Sequence, residues 1–251
     1  MASRRRRWLL PHEHGAYAQL LVPLATAFVL GRPTLAAVAI AIAACFAFVA
    51  TQPLRTVLRR RRNAEQTAAA RWLAITATIA IAAGATGLAL APAAIVPALV
   101  VAVPGAIALA ITWRRSEHTL VGEIVAAAAL AGASVPTSIA AGLDPTRALA
   151  IWAAWAIGFA ATVIAVHRVL DHKRAPGGGH LAIAATAVIA LASLGATLAR
   201  IEAWIVVPLA IVATIVAIRP PPVTRLRTVG VVLVVASIVS SAVVSAHVLS
   251  T

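Results

Sequence analysis

The sequence predicts an all-α protein: a polytopic transmembrane bundle of nine helices. Three observations carry this. Of 251 residues, 62% are hydrophobic and 11% charged, with a mean hydropathy of +0.97, against about 45–50% apolar and about 25% charged in soluble domains. Apolar runs recur along the whole chain, each near the ~20 residues that a helix needs to cross a bilayer. The basic residues fall between these runs in a strict alternation.

The composition excludes an ordinary soluble enzyme, a disordered chain and a disulfide scaffold. The formal net charge of +14 would point to nucleic acid in a soluble chain. Here the cations sit in short gaps between apolar runs, where they orient a membrane protein and meet anionic head groups. The partner expected is the lipid bilayer, not nucleic acid. The one cysteine, Cys45, lies inside an apolar run and has no partner for an intramolecular disulfide.

The chain reads as a single transmembrane domain, 1–251. Residues 1–15 form a basic N-terminal segment. Ser3-Arg4-Arg5-Arg6-Arg7 before an apolar stretch resembles an export signal. Polar His12, Glu13 and His14 interrupt that approach and eight further runs follow, so the arginines are read as an uncleaved cytoplasmic anchor. The spans lie near 16–30, 35–51, 72–90, 93–113, 119–142, 148–167, 181–198, 203–218 and 228–247. The stretch 72–113 is too long for one crossing, and Pro92 supplies the turn. Small residues such as Ala126 to Ala129 and Gly132-Ala133-Ser134 let helix backbones approach closely. Pro23, Pro104, Pro136 and Pro208 lie inside spans, where a missing N–H frees a carbonyl and kinks or opens the helix.

Placing the N-terminus in the cytoplasm tests the count. The inside segments then carry eighteen cations and the outside segments three, Arg32, Arg147 and Arg200. Miscounting any break would scramble this pattern. The expectation is a cell-membrane protein with its N-terminus cytoplasmic and Thr251 outside.

Polar residues at a membrane rim are informative because burying them is costly unless they are used or paired. They gather at the cytoplasmic ends: His12, Glu13, His14 and Gln19 on the first helix, Gln52, Arg55 and Arg59 closing the second, Arg114, Arg115, His118 and Glu123 opening the fifth, and His167, Arg168, Asp171 and His172 closing the sixth. The outer side carries scattered Arg32, Asp144, Arg147, Arg200, Glu202 and His247. His167 and Asp171, four apart, share a helix face and fit either a proton relay or a solvated helix end. Arg55 and Arg59, one turn apart, suit a phosphate or carboxylate, and Arg59 to Arg62 also fit simple anchoring. Glu123, one turn into the fifth span, needs a partner, with Arg114, Arg115 or His118 within reach. Ala175 to His180 is glycine-rich but lacks the Gly-Lys-Ser/Thr ending of a phosphate loop, and Pro220-Pro221-Pro222 reads as a stiff connector.

These residues carry a resemblance. Pro11 and His14-Gly15-Ala16, with Pro23 inside the helix, Gln52-Pro53 before a basic run, Gly122-Glu123, and an arginine closing the sixth helix resemble the YwiC-like membrane proteins over nearly the whole chain. More distantly, the nine-helix topology and Thr112-Trp113-Arg114-Arg115 leading into Gly122 are similar to the UbiA-type prenyltransferases. That resemblance implies a site opening at the cytoplasmic ends of helices two and six, where aspartates hold a magnesium–diphosphate. Here those positions fall near Thr51, Arg55 and Arg59, and near His167 and Asp171. One carboxylate remains, too few hard oxygens for such a metal site.

The function expected is a cytoplasm-facing polar cavity that binds or modifies a lipid-like, isoprenoid or anionic ligand, without an intact magnesium–diphosphate motif. His12, Gln19, Gln52, Arg55, Arg59, Arg115 and Arg168 are the ligand-binding candidates. His14, Glu123, His167 and Asp171 are the acid–base candidates. Two other classes fit: a small-solute or ion transporter, from kinked helices with a buried carboxylate, and a haem or metal-binding membrane protein, from His12, His14, His167, His172 and His180. No cofactor is specified by the sequence.

Overall fold

The computed structural model describes residues 14–58, 64–113, 119–172 and 179–250. Their regular structure is helical throughout. In chain order the helices are α1 (His14–Leu30), α2 (Leu35–Leu58), α3 (Ala64–Leu90), α4 (Ile95–Trp113), α5 (Leu120–Gly132), α6 (Ser134–Ala140), α7 (Pro145–His172), α8 (His180–Ala196), α9 (Val206–Ile218) and α10 (Leu226–Ser250), with short 3-10 turns before α4, α9 and α10. Seven of the helical stretches are long and apolar enough to cross a membrane, and two shorter apolar ones, Gly15–Leu30 and His180–Ala196, complete the set. This is a multi-pass membrane protein.

The fifth span is divided. α5 and α6 meet at Ala133, whose N–H bonds back to Leu130 at a long 3.4 Å. The sequence cause is Pro136. It has no N–H for the Gly132 carbonyl, and its ring crowds that position. Pro208 stands likewise just inside α9, next to the 3-10 turn Ile201–Ile205. By contrast α1 and α4 continue unbroken through Pro23 and Pro104.

Several helices outrun their apolar cores. α2 continues through Gln52 and Pro53 to Leu58, and α3 starts at Ala64 rather than 72. The Gln66 amide donates to the Val57 carbonyl at 2.9 Å, tying the two together. α7 runs from Pro145 to His172, beyond the expected 148–167 at both ends. Asp144 caps its start, its carboxylate accepting from the N–H groups of Thr146 and Arg147 at 2.8 and 3.2 Å. Once a helix is nucleated, polar residues extend it at little cost.

The packing is built from small side chains. The largest cluster joins α5, α7, α9 and α10 around Trp155, Phe159 and Leu209, and eight of its fifteen buried members are alanines. Leu, Val and Ile point outward instead, as at Val96, Leu99 and Val103 on α4 and Leu191 on α8. In water this would be an unfavourable surface; in lipid it is the expected one, because tails are as apolar as leucine and close backbone approach drives packing. Gly158 illustrates the approach: a Cβ there would lie 2.8 Å from Leu209 Cδ1. Gly87 does the same between α3 and α2, where a Cβ would lie 2.6 Å from Ile40 Cγ1.

Long-range ties close the bundle. Thr26 and Ser241 share a hydrogen bond of 2.9 Å between α1 and α10. At the end away from the N-terminus of α1, Thr34 donates to the Ala140 carbonyl at 2.7 Å and Arg32 N–H to Ala141 at 2.8 Å. On that same end Arg147 pairs with Glu202 at 3.3 Å. The polar groups at this end are therefore not merely scattered: this pair fastens the start of α7 to the turn before α9.

Candidate functional site

A cavity of about 350 Å³ opens where the starts of α1, α5 and α10 meet the ends of α2, α4 and α7. All six therefore present the same end of the bundle, as strictly alternating spans must. Its lining runs from Gly122 to Leu130 along α5 and from Val166 back to Phe159 along α7. At 1.5 Å per residue the cavity reaches about 10–12 Å into the bundle.

Each wall is one helix face. α7 contributes Phe159, Thr162, Val163 and Val166, and α10 contributes Gly230, Leu233, Val234 and Ser237. Both sets follow the i, i+3, i+4, i+7 spacing of a single stripe. Among the described residues the polar groups are Gln19, Arg55, Glu123, Thr162 and Ser237, and the deep end holds Leu130 and Phe159. Arg55 stands on the last turn of α2. The lining is thus amphipathic, with charged groups near the mouth.

Glu123 owes its position to the local sequence. Thr119 caps α5, its hydroxyl accepting from Gly122 N–H at 3.1 Å, which places Glu123 in the first helical turn. A carboxylate there faces the positive end of the helix dipole. Its partner is His167 on α7: Nε2 and Glu123 Oε2 lie 3.1 Å apart. Glu123 is 36% exposed and lines the cavity, whereas His167, 18% exposed, stands behind it. Among the described residues, then, the carboxylate is paired across the bundle; Arg114, Arg115 and His118 lie outside them. His167 likewise meets Glu123 rather than Asp171, which sits one turn further on, exposed.

Of the expected ligand-binding and acid–base residues, the cavity brings together Gln19, Arg55 and Glu123, with His167 behind. Gln52 is half-buried on α2 outside the lining. Arg168 turns away toward Gly179. His12, Arg59 and Arg115 lie outside the described residues, as does the side chain of His14, which begins α1 beside the lining residue Gly15. Phe159, Thr162, Val163 and Ser237 were not singled out from the sequence. Thr162 and Ser237, polar groups deep in apolar spans, were the available signal. Among the described residues no three His, Cys, Asp or Glu side chains gather as a metal-ligand set.

A family model described as YwiC-like protein matches residues 10–138. The chain belongs to the YwiC-like family. No curated protein and no solved structure matches it. The YwiC-like match takes in α1 to α5 and most of α6, and so the cavity residues Gln19, Arg55 and Glu123. The resemblance read at the close of the sixth helix lies beyond it. The walls from α7 and α10 are likewise supplied by the part of this YwiC-like chain outside the match.

Proposed function

We propose that this YwiC-like protein takes up a small amphipathic, anionic molecule of lipid-like or isoprenoid character into the cavity. The observation that carries the reading is the lining itself: Arg55 and Glu123 among the end-facing groups, with Leu130 and Phe159 at depth. The Arg55 guanidinium offers planar paired donors to a phosphate or carboxylate head. The apolar depth receives the tail. The volume stands at the low end of the ~300–1,000 Å³ usual for ligand pockets, so the tail is short. Glu123 is the group able to exchange a proton with the bound molecule, and His167 is its positioning residue. No magnesium–diphosphate step is part of this reading, because among the described residues the lining supplies a single carboxylate.

The bias of cations toward this end of the bundle supports a cytoplasmic mouth, with the N-terminus inside and the C-terminus outside.

Mass spectrometry of small molecules that co-purify in mild detergent tests the proposal. An isoprenoid or other anionic amphiphile enriched with the wild type and lost in Arg55→Ala supports it. Bulk phospholipid alone, at equal levels in both proteins, overturns it and redirects the work to solute flux in proteoliposomes.

A further inference from the structure

Arg168 poses a separate question. It is 9% exposed, yet its Nε is buried with no hydrogen-bond partner. Among the described residues no carboxylate pairs with it, and Asp171 on the same helix is exposed. A buried donor left unmade costs about 1–3 kcal/mol, and a guanidinium cannot shed its charge to escape that cost.

Its surroundings add positive potential. The side chain packs on Gly179, where a Cβ would overlap the guanidinium. Gly179 is the N-cap of α8, a helix of 17 residues, and no side chain caps it. The first intrahelical bond runs from Ile183 N–H to Gly179, so the N–H groups of His180, Leu181 and Ala182 have no partner within α8. A cation therefore stands at the positive end of a helix dipole. His172, one turn from Arg168 on α7, also keeps a buried ring nitrogen, Nδ1, without a partner. The negative end of α7 accounts for basic residues there, but not for their unpartnered nitrogens or for the turn toward α8.

We propose that Arg168, His172 and the N-terminus of α8 form an anion site for a phosphate group, distinct from the cavity. One phosphate would accept from the guanidinium and from first-turn N–H groups together, as helix N-termini bind anions elsewhere. The phosphate can belong to a soluble ion or to a lipid headgroup, since α7 ends at a membrane rim.

The test uses the full chain in phosphatidylcholine nanodiscs. Thermal unfolding is followed as inorganic phosphate replaces chloride at constant ionic strength, and again in nanodiscs containing phosphatidylglycerol without added phosphate. A rise of the midpoint with inorganic phosphate that Arg168→Gln abolishes supports the site and names a soluble anion. A rise with phosphatidylglycerol alone, abolished in the same variant, supports it and names a headgroup. No rise in either arm, or an equal rise in Arg168→Gln, overturns it. Should Arg168→Gln not fold, Arg168→Lys decides: it keeps the charge but loses the planar fork, so half-saturation should rise at least about fivefold. An unchanged half-saturation overturns the site.

Discussion

Glu123 and His167, 44 residues apart in sequence, meet at 3.1 Å and join the first turn of α5 to the last third of α7. Glu123 also faces the cavity, so the pair links bundle packing to the cavity wall. Glu123→Gln separates the two roles. The amide can still bond to the ring, and polar contacts in membrane bundles average about 0.6 kcal/mol, so the unfolding midpoint should move little. Ligand retention should fall about tenfold, the equivalent of losing the charge-assisted hydrogen bond that a hydroxyl of the ligand head donates to the carboxylate. Calorimetry or fluorescence unfolding beside mass spectrometry of the retained ligand checks both halves. A large loss of stability with retention intact would make the pair purely structural.

The deep end sets the size of what can enter. Leu130→Trp adds bulk at the bottom of the cavity without touching Arg55 or Glu123. Retained molecules should shift to shorter tails, with the same head group. An unchanged tail distribution would place the tail elsewhere.

Gly158 is a packing position. A leucine there would drive its Cβ into Leu209 Cδ1, and overpacking of this kind costs about 1–3 kcal/mol. Gly158→Leu should lower the unfolding midpoint, while Gly195→Leu, with open space around residue 195, should leave it within a degree or two. Equal effects of the two would mean that the α7–α9 approach is not close.

Topology is checked with the chain's single cysteine removed. In a Cys45→Ser background, Leu198→Cys should react with a membrane-impermeant maleimide in intact cells. Pro221→Cys should react after permeabilisation alone. The reverse pattern would invert the bundle and put the cavity mouth outside.

The helix bundle was legible because lipid imposes length and hydropathy on every span, and the turn at Pro92 stands where the apolar run required one. Helix ends were less so: Gln52 to Leu58 and Arg168 to His172 are polar yet helical, and hydropathy marks the bilayer rather than the hydrogen bonding. Of the cavity lining, Arg55, Glu123 and Gln19 were legible, where polarity is out of place. Val163 and Val166 could not be found this way. In a span apolar on every side, a cavity face and a lipid face have the same composition, and only rotation within the bundle distinguishes them. The same ambiguity hid the partner of His167, since spacing along α7 offers Asp171 and only packing offers Glu123.

The cavity draws walls from the first helix and the last, and the Thr26–Ser241 bond clasps those two across 215 residues. During synthesis, therefore, the pocket does not exist until α10 has left the ribosome and entered the bilayer. A nascent chain stalled after α5 exposes Glu123 without its histidine. Chains cut before α10 should be recognised as orphans by membrane quality control, however well their first helices insert.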